Sequence, residues 1–306
     1  MTKKVTVLLG GFSREREISI QTGHAIIKAL KKLGHEVSYL DVQADFLDQI
    51  VSLKPQICYN ALHGTFGEDG QIQGILDLLG IAYTGENRAT SALAFDKLLT
   101  KWTYDAAGVP TPKWQYLGPN SMDVTELTDF DYPVFVKPTS EGSSVGVEKL
   151  DSQASLIRGR DRWHSRPHLI EQGIKGAELS VAIFGRDVLG SVQIVPERDF
   201  YDYEAKYGNA NTQYHLPPSI SEAQIRSAED VALKAHLSLG CQGLCRTDVM
   251  VSDKGAYALE TNTLPGMTQS SLVPKIAQYR GTSFVELVDC VLQTARYDDV
   301  MEGLDV

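Results

Sequence analysis

Leu244-Cys245-Arg246-Thr247-Asp248-Val249-Met250 and Tyr257-Ala258-Leu259-Glu260-Thr261-Asn262-Thr263-Leu264-Pro265-Gly266-Met267-Thr268 decide how this chain is read. Both segments read as β-strands. Asp253-Lys254-Gly255 between them suits a three-residue hairpin loop with Gly255 in the left-handed position. That register sets Asp248 opposite Glu260 and Arg246 opposite Asn262, and period-two alternation puts all four side chains on one face. Two carboxylates directly opposite each other repel. Their placement makes sense if a hard cation sits between them. Asp, Glu and Asn offer the oxygen ligands that Mg²⁺ takes, usually beside substrate phosphates. Gly266 then lets backbone approach a ligand closely. The alternative is an exposed hairpin with surface charges. The apolar flanks and the Pro/Gly-shaped loop after Asn262 argue against it.

Upstream, residues 4–85 alternate strand and helix. Val5–Leu9 is a buried strand. A helix follows, with Ile18, Thr22, Ala25, Ile26, Ala29, Leu30 and Leu33 on its apolar stripe and Gly34 closing it. Glu36–Val42 and Gln56–Asn60 are further strands. The βαβ order implies an α/β fold with a parallel, Rossmann-like sheet and right-handed crossovers. Ligands in such sheets bind beyond the carboxyl ends of the strands, where the loops Gly10–Glu15 and His63–Gly70 sit. A second unit starts near Ser91, with a helix through Lys97 to Ala107 and strands at Lys113–Leu117, Pro133–Lys137 and Val145–Lys149. A third starts near Ser180, with a helix opened by the capping box Ser221-x-x-Gln224, then the hairpin, then a helix from about Ser283. The expected division is 1–90, 91–179 and 180–306. Residues 196–217 have little apolar periodicity, and a loop that long is usually functional or mobile.

A chain of 306 residues suits two or three compact units. The net charge of −10 argues against a general nucleic-acid or acidic-membrane surface but leaves room for a local basic pocket. No apolar run is long enough to span a bilayer, and Met1-Thr2-Lys3-Lys4 leads into a β-like run rather than a signal peptide. Cys58, Cys241, Cys245 and Cys290 form no C-x-x-C pair, so free thiols in a reducing cytoplasm are expected and a zinc site is not.

Lys137-Pro138-Thr139-Ser140-Glu141-Gly142-Ser143-Ser144-Val145-Gly146 is a Gly/Ser loop between strands, which presents N–H and hydroxyl donors to phosphate oxygens. It is not a Walker A loop. By itself it could be a flexible hairpin tip. With Lys97 upstream and the carboxylate hairpin downstream, it points to a nucleotide site. Gly10-Gly11 lacks the dinucleotide G-x-G-x-x-G. Glu15 at the following helix start suits an ammonium group better than a pyrophosphate, although a helix-dipole role is equally open. His63 is either a polar substrate contact or a satisfied loop histidine. Glu171–Glu178 reads as a hinge that could line a cofactor, or as an exposed charged linker.

Over essentially its full length the chain resembles the D-alanine–D-alanine ligases of the ATP-grasp superfamily. The resemblance rests on Gly10–Glu17, on His63-Gly64 with Gly67–Gly70, and on Glu141–Gly146. Tyr203–Tyr207, Cys245–Asp248 and Asn262–Thr268 complete it. Two departures stand out. Thr261 occupies a position where an aliphatic residue is usual, and Ser140 one that often carries Arg; neither is itself a proposed ligand. The resemblance implies a two-part ATP-grasp fold after the N-terminal unit. It also implies joining of two D-alanines through an acyl phosphate, for peptidoglycan precursor synthesis, in a cytoplasmic homodimer. Carried over residue by residue, Asp248, Glu260 and Asn262 would hold two Mg²⁺ or Mn²⁺ ions. Lys97, Lys137 and Lys206 would neutralise phosphate charge, and Glu171, Ile174 and Glu178 would hold adenine and ribose. Glu15 would bind the first D-alanine's ammonium and Ser271 the second's carboxylate. Arg246 and the Gly266 N–H would face the oxyanion, one such donor being worth roughly 3 kcal/mol of barrier. Ser143 and Tyr207 would hydrogen-bond with Glu15 and close the Tyr-rich loop, excluding water from the acyl phosphate.

Three other readings compete: an ATP-grasp ligase with a different second substrate, a non-catalytic nucleotide-binding regulator, and a periplasmic amino-acid-binding protein. Tyr207 and Glu15 argue against the first. The intact set Asp248, Glu260, Asn262 and Arg246 argues against the second, and the missing signal peptide against the third. Relatives that make D-alanyl-D-lactate tend to carry Phe where this chain has Tyr207. Tyr207→Phe should therefore loosen the loop and raise depsipeptide formation, with products resolved by mass. A variant that makes only dipeptide, as the parent does, removes that role from Tyr207.

Overall fold

The computed structural model describes residues 2–119, 124–127, 129–142, 145–163, 166–196, 212–268 and 270–298. Strands β1 (Lys4–Leu9), β2 (Glu36–Asp41), β3 (Ile57–Asn60) and β4 (Ala82–Tyr83) pair in parallel in the order β2-β1-β3-β4. Val5 and Val7 pack on one side of this sheet with Ile26 and Leu30 of α1 (Arg16–Lys32). Leu8 packs on the other with Phe46 and Ile50 of α2 (Phe46–Leu53) and Ile72 and Leu76 of α3 (Gln71–Leu78). The alternation along β1 thus feeds two cores at once. Both expected ligand loops leave the carboxyl ends of β1 and β3.

Helices α4 (Arg88–Phe95) and α5 (Lys97–Ala107) lead to an antiparallel sheet of order β5-β8-β6-β7. Its strands are β5 (Trp114–Leu117), β6 (Val134–Pro138), β7 (Glu148–Leu150) and β8 (His168–Gln172). Leu156 and Trp163 of α6 (Gln153–Trp163) cover it. The third sheet runs β11-β10-β9-β12-β13, from β9 (Ala177–Phe184), β10 (Asp187–Val195), β11 (Gln213–His215), β12 (Leu244–Ser252) and β13 (Gly255–Asn262). Ala228 and Ala232 of α7 (Glu222–Ser238) pack against its Leu179, Val181 and Val249.

Helix α8 (Leu272–Tyr279) and helix α9 (Phe284–Gln293) close the chain. Leu287, Val288 and Leu292 of α9 join Val5, Val7, Ile26 and Leu30 of the first unit, and the same cluster reaches Ala182 and Val192 of the third sheet. Arg296 pairs with Tyr83, adding the segment after α9 to β4. Each fully buried aliphatic side chain contributes about 2 kcal/mol. The capping box at Ser283 and Glu286 is worth only about 1 kcal/mol, so packing rather than capping holds α9 on the N-terminal layer.

The hairpin register is the expected one, reached by another route. Arg246 pairs with Asn262 and Asp248 with Glu260, as the alternation required. The turn, however, holds two residues, because Ser252 already pairs with Gly255. Gly255, expected in the left-handed loop position, is the first residue of β13, with φ of 137°. A bulge between Asp248 and Val249 restores the lost residue, since Val249 pairs with Ala258 and leaves Leu259 over.

Other expectations change for local reasons. The strand expected at Val145–Lys149 begins only at Glu148, because Val145 closes a turn on Gly142 and Gly146 has φ of 73°. Within the long loop expected at 196–217, β11 pairs with the edge of β10; residues 197–211, with Lys206 and Tyr207, lie outside the described residues, as does Ser143. Glu171 belongs to the buried strand β8, not to an exposed linker. The capping box at Ser221 and Gln224 forms as read. Cys58, Cys241 and Cys245 are buried and Cys290 is exposed, all as free thiols. Among the described residues no helix is long and apolar enough to cross a membrane.

Where β8 passes into β9, Gly176 lies directly on the backbone of Val251. A Cβ there would sit inside the Val251 carbonyl. Gly176→Ala should cost about 2 kcal/mol of stability by overpacking, read as a lower urea midpoint. An unchanged midpoint would mean that the two segments separate freely.

Candidate active site

Two cavities meet at the β12–β13 hairpin. The first, of about 370 Å³, lies between the loops of the parallel sheet and the hairpin. Glu15, His63, Arg246, Asn262, Gly266 and Ser271 line it. The second, of about 730 Å³, lies between the central and third sheets and is lined by Lys137, Glu171, Ile174 and Glu178. Lys97, Asp248 and Glu260 border both.

At this seam each carboxylate has a cation. Arg246 grips Asp248 in a fork, Nε to Oδ1 and Nη2 to Oδ2 both at 3.0 Å. Ser180 on β9 donates to Asp248 Oδ1 at 2.7 Å. Lys97 Nζ stands 3.5 Å from Glu260 and donates to the Glu141 carbonyl at 2.7 Å. Asp96 caps α5 by accepting from Leu98 and Leu99 N–H, and so aims Lys97 at the seam. Asn262 Oδ1 accepts from Leu264 N–H at 2.8 Å, folding the loop that carries Gly266. A Cβ on Gly266 would come within 2.9 Å of Ser271 Oγ. Ser271 starts α8, and its Oγ accepts from Thr268 N–H at 3.0 Å. The oxygen donors of Asp248, Glu260 and Asn262 suit a hard divalent cation.

On the opposite wall, Glu15 stands at the N-terminus of α1, held by Ser13 Oγ, which accepts its N–H at 3.1 Å. Ser13 in turn donates to the His63 carbonyl at 2.6 Å. His63 is itself buried and engaged at both ring nitrogens, with Thr22 Oγ1 at 3.2 Å and Glu68 Oε1 at 3.6 Å. It also lines the cavity.

The larger cavity holds a charge cluster only half visible in the sequence. Glu171 is 2% exposed and lies 2.6 Å from Lys137 Nζ and 2.5 Å from Lys101 Nζ. Lys101 also contacts Thr111, whose hydroxyl donates to the Ala258 carbonyl at 2.8 Å. Burial alone would push the Glu171 carboxyl up, yet the two lysines hold it below its ordinary 4.5. Burial pushes the Lys101 ammonium down against the pull of Glu171. Lys137, also opposed by burial, is held up by Glu171 and Glu260. Met250 and Leu259 give the cavity an apolar wall. The bulge lets Leu259 and Glu260 both face it.

Sequence reasoning missed Ser180 and Lys101. No motif carries either; both matter through contacts made between distant elements. Met250 was within reach, since it continues the Arg246–Asp248 face of β12. Helix α8 was not read from the sequence; Ser271 is its N-cap, and Pro274 is tolerated in its first turn.

Known proteins resemble this chain along its length. The family model described as "D-ala D-ala ligase C-terminus" matches residues 103–293, and that described as "D-ala D-ala ligase N-terminus" matches residues 47–86. A D-alanine–D-alanine ligase of Syntrophotalea carbinolica is 41% identical over 295 residues, 96% of each chain. One from Rhodospirillum rubrum is 39% identical over 303 residues, covering 97% of this chain and all of its own. The crystal structure of the D-alanine–D-alanine ligase from Bacillus anthracis is 33% identical with a TM-score of 0.83, over 96% of this chain and 97% of that one. The same enzyme complexed with ATP gives 30% and 0.81, with the same coverage.

Because the folded Glu171 value is depressed, its stabilisation is present in full above 4.5 and is lost as pH falls below it. Glu171→Gln should cost about 3 kcal/mol at neutral pH, leaving two lysines without their anion. It should also flatten the acid limb of stability against pH, measured by urea denaturation between roughly pH 3 and 6. An acid limb as steep as in the parent would remove Glu171 as its cause.

Proposed function

The chain belongs to the D-alanine–D-alanine ligase family, and we propose that it joins two D-alanines into D-alanyl-D-alanine, converting ATP to ADP and phosphate. The observation that carries this reading is the shared border of the two cavities at Lys97, Asp248 and Glu260. A phosphoryl group passing from nucleotide to carboxylate must cross such a border. The larger cavity takes ATP. Lys137 and Lys97 offset phosphate charge, with Lys206 of the same loop as Tyr207 as a third cation. Ile174, Met250 and Leu259 supply apolar surface for the base, and Glu171 and Glu178 polar contacts for adenine and ribose. Asp248, Glu260 and Asn262 would hold two Mg²⁺ or Mn²⁺ ions, whose charge would offset that of the phosphates.

In the smaller cavity Glu15 receives the ammonium of the first D-alanine, with His63 beside it. The carboxylate oxygen of that D-alanine attacks the γ-phosphorus, ADP leaves, and a D-alanyl phosphate forms. Ser271 and the first N–H groups of α8 receive the carboxylate of the second D-alanine. Its amine attacks the acyl carbon and inorganic phosphate leaves. The charge that develops on the carbonyl oxygen meets Arg246 and the Gly266 N–H. Arg246 suits this because its fork to Asp248 fixes the guanidinium before substrate arrives. Ser143 and Tyr207, which lie outside the described residues, would complete the enclosure by the family resemblance. The three-part organisation at 1–90, 91–179 and 180–306, a cytoplasmic homodimer and a role in peptidoglycan precursor synthesis belong to the same reading.

The test is phosphate release with ATP and Mg²⁺, comparing D-alanine, L-alanine, and D-alanine with D-lactate, with products resolved by mass. Release that requires D-alanine and yields the dipeptide is expected. No release with any amino acid, despite ATP binding, would overturn the ligase reading, and a depsipeptide as main product would overturn the choice of second substrate.

A further inference from the structure

Behind the hairpin, on the side away from both cavities, three ligand-type residues converge with no part in the chemistry above. His236 lies in the last turn of α7, Cys241 in the turn that follows, and Cys245 second in β12. They are 0%, 3% and 0% exposed. One donor atom from each lies within 4.8 Å of the other two. Among the described residues neither ring nitrogen of His236 has a hydrogen bond of ordinary geometry, the Gly185 backbone being a polar neighbour, and an unsatisfied buried imidazole costs about 1–3 kcal/mol. Glu86, 1% exposed, reaches in from the end of the parallel sheet with Oε1 3.4 Å from Cys245 Sγ. The Gln242 and Gly243 N–H groups, at 2.9 and 2.6 Å, fix that oxygen.

We infer that His236, Cys241 and Cys245, with Glu86 as oxygen donor, form a structural site for a thiophilic divalent cation of the zinc type. Nitrogen and sulfur donors in one buried cluster select zinc-like ions over Mg²⁺. The spacing fits for His236, Cys241 and Cys245: donors on one tetrahedral zinc stand roughly 3.5–4 Å apart, so these three atoms, within 4.8 Å of one another, need to draw in by about 1.3 Å at most, with Glu86 approaching from the Cys245 side. Binding would release the two thiol protons to solvent and put thiolates on the metal. Burial keeps the metal-free Cys245 thiol far above its usual range, so the cation is what would hold it ionised. Two thiolates and Glu86 exceed the charge of the ion by one, and Arg296, with Nη2 3.8 Å from Glu86, offsets that excess. The site would tie α7, β12 and the end of the parallel sheet together. Neither the absence of C-x-x-C nor the scatter of the cysteines in sequence bears on it, because the turn after α7 brings the donors together.

Cobalt reports on the site without relying on activity. The full chain, made in cobalt-supplemented medium and washed in buffer with excess Mg²⁺, should hold about one equivalent of tightly bound cobalt and show a thiolate-to-cobalt charge-transfer band. Cobalt on the oxygen donors Asp248, Glu260 and Asn262 gives no such band. Cys241→Ser should lower the band by about half, since one of two thiolates is gone. The pair Cys58→Ala and Cys290→Ser should leave it intact, which tests the assignment even if Cys241→Ser fails to fold. A folded parent chain with no band overturns the proposal. So does a band that survives Cys241→Ser at full strength, or one that is lost with Cys58 and Cys290. Loss of two free thiols without bound metal would instead mean a Cys241–Cys245 disulfide, and overturns it equally.

Discussion

Two carboxylates held at paired positions of one hairpin, Asp248 and Glu260, are the constraint on which the other parts depend. Like charges directly opposite each other on a sheet are destabilising, and here they stand at the border of two cavities. The fold answers from several directions. Arg246 comes from the same strand, Ser180 from the neighbouring strand β9, and Lys97 from the start of α5. Compensation therefore draws the third sheet and α5 to one line. The cavities open on either side of it because each approaching element brings a polar side chain rather than an apolar one.

Charge is handled differently one layer away. The exposed pair Arg226–Glu222 on α7 is worth about 0.3–0.5 kcal/mol. Glu171 with Lys101 and Lys137 uses the same kinds of group in near-complete burial, where removing one partner costs about 3–5 kcal/mol. The desolvation of three ions yields little net stability in exchange. The cluster is better understood as a rigid anchor that fixes Lys137 at the mouth of the larger cavity, with Lys101 carried on the same helix as Lys97.

The two departures from the family pattern are accommodated locally. Thr261 turns its hydroxyl away from the Glu260 and Asn262 face, to Tyr104 and Thr247, both at 2.9 Å. An unsatisfied buried hydroxyl would cost about 1–3 kcal/mol; this one is shared among three residues that bind α5 to the hairpin. Ser140 donates to Asp96 at 3.2 Å, the residue that caps α5 just ahead of Lys97. Neither substitution needs to touch a ligand to help position Lys97.

By itself the sequence determined the parallel N-terminal layer, the two loops at its carboxyl edge, the helix capped at Ser221, and the facing pairs Asp248–Glu260 and Arg246–Asn262. These follow from periodicity and capping, which act over a few residues and leave a pattern in the chain. The resemblance sharpened the roles of Glu15 and Gly266, which local pattern had only marked as ligand-facing, and added one for Ser271, which no local pattern assigns. Only the tertiary structure decided that a two-residue turn and a bulge produce the hairpin register, since both routes satisfy the same alternation. It alone decided that Lys101 shares Glu171 with Lys137, that Ser180 holds Asp248, that α9 packs on the first sheet, and that His236 meets Cys241 and Cys245. Each of these depends on contacts between separate elements, where long-range packing sets the neighbours and the local pattern is silent.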